Sequence, residues 1–114
     1  MKVIVAGSRN VKKYSKVLEG ILSSPHKITE LVSGACPTGV DKLAEEWAEA
    51  EGIKIKRFPA RWDKHGRSAG PRRNKKMAGY AQALIAVWDG RSPGTKNMIR
   101  EALRMRIDTY VHFI

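Results

Sequence analysis

The sequence is short of cysteine, of acidic residues and of long apolar runs, and each shortage removes a class of protein. A single cysteine, Cys36, among 114 residues excludes an internal disulfide and fits a reducing compartment. One Cys and three scattered histidines, His26, His65 and His112, show no ligand spacing, so no metal is expected and no cofactor is required. No segment approaches the roughly 20 apolar residues of a membrane span. The opening run Val3-Ile4-Val5-Ala6 is too short for a signal peptide and reads as a strand. The expectation is a cytoplasmic protein without a membrane partner.

Acidic residues number 11 against 22 Lys and Arg, a formal net charge of +11. The imbalance is uneven: residues 1–57 hold 10 Lys/Arg and 7 Asp/Glu, whereas residues 58–114 hold 12 and 4. Segment 61–76 is densest, with Arg61, Lys64, Arg67, Arg72, Arg73, Lys75 and Lys76 against Asp63 alone. Such a patch attracts a phosphorylated small molecule, a nucleic acid or an acidic surface. A solvated face that serves solubility is the plain alternative.

Repeats, low-complexity tracts and linkers are also missing, so residues 1–114 are read as one domain. What is present is an alternation of short apolar runs with helical periods. Strands are expected at 3–6, 28–33, 53–58, 83–88 and 107–113. Of these, 53–58 has the mixed pattern of an edge strand and 83–88 the continuous apolar run of a strand buried on both faces. Helices are expected over 11–23, from Val40 through Ala48, over 71–80 and over 95–105, with 59–69 a polar loop. In 11–23, Val11, Tyr14, Val17, Leu18, Ile21 and Leu22 form the inner stripe; in 95–105, Met98, Ile99, Ala102 and Leu103 do. The fold class is α/β: a Rossmann-like, doubly wound, mainly parallel sheet of about five strands with helices on both faces. Ligands of such sheets sit beyond the carboxyl ends of the strands, where strand order reverses.

That rule directs attention to four loops. After the first strand, Gly7 permits a sharp turn and close ligand approach. Ser8 offers a hydroxyl, and Arg9 a planar fork of donors suited to phosphate. The second loop has Gly34 and Gly39 ahead of a helix, with Thr38 as a plausible cap and Asp41 in the first turn. There Asp41 either stabilises the helix dipole or accepts hydrogen bonds from a ribose or base. Cys36 reads as a spectator thiol. In the third loop Trp62 stacks on a base or covers the core edge, and His65 reads as a bystander. The fourth loop carries Asp89, Gly94 and Thr95, with Thr95 read as a helix cap or a phosphate donor. Neither the dinucleotide fingerprint nor the Walker A pattern is present. The convergence of two helix starts, after 7–10 and after 89–95, is the more specific signal.

Val-Ala-Gly-Ser-Arg (5–9), Ser-Gly-Ala with Thr-Gly-Val-Asp (33–41), Trp62, Gly66, Ala69-Gly70-Pro71-Arg72-Arg73-Asn74, Met77, Ala83 to Val87 and Pro93-Gly94-Thr95 with Met98 run in an order that resembles the SLOG superfamily. That group includes the Smf/DprA proteins and the LOG enzymes; the nearest likeness is to its small YspA-like branch, common in bacteria and phages. The resemblance implies a Rossmann-like fold that binds nucleotides or NAD- and nucleoside-derived molecules, in a bacterium or phage-infected host. It adds Gly70, Arg73 and Asn74 to the ligand-binding candidates. The LOG enzymes cleave the glycosidic bond of a nucleoside monophosphate, and Arg73 matches their arginine four residues before a Met. Met98 stands where they have a glutamate, and a thioether can neither stabilise oxocarbenium-like charge nor activate water. Catalytic candidates reduce to Arg73, Asp41 and Glu101, the last one turn beyond Met98. Three functions compete: a module that binds a nucleotide-like small molecule (sensor, carrier or sequestering protein), a nucleotide-cleaving enzyme of the phosphoribohydrolase type, and a DprA-like binder of single-stranded nucleic acid through 61–76. Related folds pair through helices, which suggests a homodimer.

Overall fold

The computed structural model describes residues 1–114. Five strands, β1 (Lys2–Gly7), β2 (Glu30–Ser33), β3 (Lys54–Arg57), β4 (Ala83–Trp88) and β5 (Asp108–Phe113), form one sheet of order β3-β2-β1-β4-β5. Every neighbouring pair is parallel. The helices between them are α1 (Tyr14–Ser23), α2 (Val40–Ala50), a single-turn α3 (Trp62–His65) followed by a 3₁₀ turn at Gly66–Ser68, α4 (Ala69–Tyr80) and α5 (Pro93–Arg104). The doubly wound α/β architecture expected from the alternation is the one present. No helix is long and apolar enough to cross a membrane.

Period-2 alternation in the central strands divides the interior into two cores. Val3 and Val5 of β1 and Ala83, Ile85 and Val87 of β4 pack with Val17, Ile21, Val40, Ala44 and Trp47 of α1 and α2. Ile4, Ala6, Leu84 and Ala86 face the other way, onto Met77, Ala78, Met98 and Ala102 of α4 and α5. Covered on both faces, Val3 to Ala6 of β1 and Ala83 to Val87 of β4 carry no polar side chain. At the rim, β3 exposes Lys54, Lys56 and Arg57, charges that blunt its free edge.

The structure departs from the sequence reading at element ends. Helix α1 begins at Tyr14, not residue 11, and Tyr14 and Leu22 are exposed. Leu103 is exposed as well; in both helices the stripe read from spacing is wider than the face the sheet covers. Segment 59–69 is not an open loop: α3 and the 3₁₀ turn lead into α4, which starts at Ala69. Thr38 does not cap α2; that position is held by Gly39 with φ of +76°. Nor is Thr95 a cap, since α5 starts at Pro93 and Ser92 precedes it.

Candidate functional site

The chain passes from β1 to β2 to β3 in one direction, then returns and runs from β4 to β5 in the other. Loops leaving β1 and β4 therefore diverge to opposite faces, and a crevice opens between them. This cleft has a volume of about 540 Å³, within the roughly 300–1,000 Å³ of small-molecule sites. Ser8 and Thr95, expected on facing loops, both line it.

Its α5 wall is open. Pro93 suits a first helical position because its missing N–H would have no partner there. The first main-chain bond of α5 runs from the Lys96 N–H to the Ser92 carbonyl at 3.1 Å, leaving the Gly94 and Thr95 N–H groups ahead of it. A Cβ built on Gly94 would meet nothing within 4 Å. Thr95 is only 4% exposed, yet its hydroxyl has no protein partner and sits on the cleft wall. Two amides, a hydroxyl and the positive end of a helix dipole thus face one space.

At the α2 start the chain fills one position itself, ahead of the Leu43 N–H that donates to the Gly39 carbonyl. The Val40 N–H donates to the Ser8 carbonyl at 3.1 Å, so protein fills the position an anion would take. A Cβ on Gly39 would overlap Ser8 O and the Arg9 main chain. Gly39 therefore serves loop-to-loop contact, and it does not line the cleft. Gly7 does line it, but a Cβ there would overlap Val87 O and Val40 Cγ2. Dense packing of β1 against β4 and α2 requires that glycine, rather than approach by a ligand.

Asp41 reaches the cleft from the first turn of α2 and is 8% exposed. Its Oδ2 accepts the Cys36 N–H at 3.2 Å, while Oδ1 has no protein partner. Burial pushes its pKa up to about 6, against the opposing pull of the Cys36 N–H and of the Arg73 and Arg9 charges. Gly34 lies between Asp41 and Arg73: a Cβ there would stand 2.7 Å from Asp41 Oδ2 and 2.5 Å from Arg73 Nη1.

Arg73 and Asn74 form a brace under the cleft. Arg73 Nη1 donates to the Gly34 carbonyl and, at 3.4 Å, to that of Phe58. Its Nε donates to Asn74 Oδ1 at 2.9 Å. Asn74 Nδ2 in turn donates to the Gly94 carbonyl at 3.3 Å and to Asn97 Oδ1 at 2.9 Å. The second loop, α4 and the start of α5 are thereby tied through two side chains. Burial holds Arg73 below the ordinary arginine pKa.

Trp62 forms part of the rim, 48% exposed, with the Arg9 guanidinium 5.5 Å from its ring centroid. A Cβ on Gly70 would lie 3.2 Å from the indole, so Gly70 makes room for that ring. Beyond the rim, a second hollow of about 410 Å³ shares Arg9, Cys36, Trp62 and Arg73 with the first.

Besides Gly34 and Gly39, two expected carboxylates lie off the cleft wall. Asp89 does not line the cleft. Its Oδ1 accepts the Arg91 and Ser92 N–H groups, each at 2.8 Å, and its Oδ2 the Ser92 hydroxyl at 3.0 Å. Those donors hold its pKa below the ordinary carboxylate range, and its work is to shape the loop before α5. Glu101 is buried away from the cleft, with Oε1 unpartnered and Oε2 3.5 Å from Arg104 Nη1. The shift needed to bring it toward Met98 has not occurred, because α5 begins at Pro93 and Met98 itself is packed into the cleft wall. Asn97 was not anticipated. It shares a face with Gly94 and Met98 at i, i+3, i+4 spacing, and that spacing was the available signal.

A five-stranded parallel sheet with helices on both faces and a cleft at its switch point defines a Rossmann-like α/β protein. The model of the YspA, cpYpsA-related SLOG family matches residues 1–65, and the chain belongs to that family. It is 33% identical to the Gene 61 protein of Mycobacterium phage D29, over 93% of this chain and 91% of that one. Among solved structures, DNA processing protein A (DprA) from Streptococcus pneumoniae superposes with a TM-score of 0.72 at 22% identity. That match covers 96% of this chain but 49% of DprA, so it concerns the fold, and the chain spans about half the length of that protein.

Proposed function

We propose that the cleft binds a nucleotide or a nucleotide-derived anion, with a phosphate at the first turn of α5 and the remainder directed toward Asp41 and Trp62. The observation that carries this reading is the open α5 start: two free amides and the unpartnered Thr95 hydroxyl, lining one cleft together with Ser8. Arg9 adds a cation at the mouth. Asp41 is the only carboxylate on the cleft wall, and Met98 rather than an acid stands on α5. A single carboxylate without a second acid or base favours binding over glycosidic hydrolysis. The protein is then a sensor, carrier or sequestering module.

The test is calorimetric titration with nucleoside monophosphates and NAD, coupled to chromatography for released base or nicotinamide. Binding without release is expected. The Arg9→Ala variant should bind about tenfold more weakly, the loss of a hydrogen bond to a charged group. Release of free base would favour the enzyme; an unchanged dissociation constant in the variant would remove Arg9 from the site.

A second reading has one observation in its favour. Arg61, Lys64, Arg67, Arg72, Lys75 and Lys76 are all exposed beside Trp62. Partial burial, then the charges of Arg72, Lys64, Lys76 and Arg61, hold the pKa of His65 below its ordinary value. Such a face suits the backbone of a single-stranded nucleic acid, with Trp62 under a base. Affinity that falls steeply with salt would support it; salt-insensitive binding would not.

A further inference from the structure

We infer that Asp41 is a specificity-determining residue that accepts a sugar hydroxyl of the ligand, so that the cleft prefers a ribonucleotide to its deoxy forms. The inference rests on the nucleotide reading above and adds what the far end of the cleft recognises.

Asp41 is more than nine-tenths buried, yet only Oδ2 is engaged, by the Cys36 N–H. Oδ1 accepts no hydrogen bond from the protein, and Asp41 lines the cleft. Arg73 makes no ion pair or hydrogen bond with Asp41; its Nη1 and Nε are given to the Gly34 and Phe58 carbonyls and to Asn74. An ionised carboxylate accepts hydrogen bonds and donates none. Phosphate oxygens are repelled there, whereas the α5 start attracts them. The cleft is therefore bipolar: amides for an anion on one wall, an acceptor for a neutral donor on another. A sugar phosphate presents that pair of groups, and a ribose hydroxyl is its donor. The acidity of Asp41 agrees, since a donor from the ligand would stabilise the ionised form that burial disfavours. The charged groups facing it are Arg73 on α4, Arg9 on the first loop and Glu45 on its own helix.

The experiment is titration of the full chain with AMP, GMP, CMP and UMP and with their 2′-deoxy and 3′-deoxy forms. A site built to pair a hydroxyl should bind at least one deoxy form about ten- to a hundredfold more weakly. Asp41→Asn is the informative variant. Its amide oxygen takes the Cys36 N–H, which turns Nδ2 into the cleft and replaces the free acceptor with a donor. Ribose preference should then fall to within about threefold. Equal wild-type affinity for ribo and deoxy forms would overturn the inference and leave nucleotide binding intact. Retained preference in Asp41→Asn would also overturn it. If no ribonucleotide binds, the nucleotide reading falls and this one with it. A thermal melt checks that the variant folds; should it not, the wild-type comparison decides.

Discussion

Helices α2 and α5 both start just after a parallel strand, both are preceded by a glycine-containing loop, and both border the same cleft, yet they differ at the first helical position. At α2 the chain supplies its own ligand: the Ser8 carbonyl takes the Val40 N–H, and Gly39 exists so that the two loops can touch. At α5 a Cβ on Gly94 would meet open space, and the Thr95 hydroxyl makes no hydrogen bond to the protein. The same contrast separates the two carboxylates of these loops. Asp89 is saturated by three donors and held to a low pKa. Asp41 has one donor and is pushed up to about 6. A helix start or a carboxylate becomes a candidate site when the fold leaves it unsatisfied; the residue type alone does not make it one.

The sharpest way to break that comparison is to treat the two glycines alike. Gly39→Ala places a Cβ against main-chain atoms of Ser8 and Arg9 at a φ of +76°. It should destabilise the fold by about 3–5 kcal/mol, lowering the melting temperature by roughly 10–20 °C. Gly94→Val meets open space. Its melting temperature should stay within about 2 °C, while nucleotide affinity falls about a hundredfold because the branched side chain enters the cleft. Near-equal melting losses in both variants would erase the distinction between a filled and an open helix start.

A smaller effect tests the two carboxylates. Burial raises the folded pKa of Asp41 from the ordinary 3.8 to about 6, so the folded chain holds this proton more tightly than the unfolded chain. The stability that protonation contributes is present below the unfolded value and is lost as pH rises through about 6. At pH 7 the ionised group costs about 3 kcal/mol. Asp41→Asn, which cannot ionise and keeps the Cys36 bond, should therefore raise stability by about 1–3 kcal/mol at pH 7. The gain should shrink toward zero near pH 4, as followed by denaturant melts at both pH values. A loss of stability at pH 7 would mean that the charge of Asp41 is already compensated in the unliganded protein.

Much of the architecture was legible in the chain. The apolar runs Val3 to Ala6 and Ala83 to Val87 marked two strands, the second as buried on both faces, and the β-α order implied a parallel sheet with its cleft at the strand ends. Helix faces were less legible. Spacing places Leu22 and Leu103 beside core residues, but how wide a face is covered depends on how the helix sits on the sheet. Of the residues that line the cleft, Ser8, Arg9, Asp41, Trp62, Gly94 and Thr95 were visible in the sequence as residue types that follow the strands. Asn97 and the brace through Arg73 and Asn74 were not, because those partners come from three separate segments.

By itself, the sequence determined the layers, the strand and helix types and the four loops that can carry chemistry, since these follow from local periodicity and from a few backbone-permissive residues. Only the tertiary structure decided which groups of those loops the protein itself satisfies. That outcome turns on neighbours distant in the chain: Ser8 against Gly39, Arg73 against Gly34, Asn74 against Gly94. An amide or a carboxylate is free only when no such neighbour arrives to satisfy it.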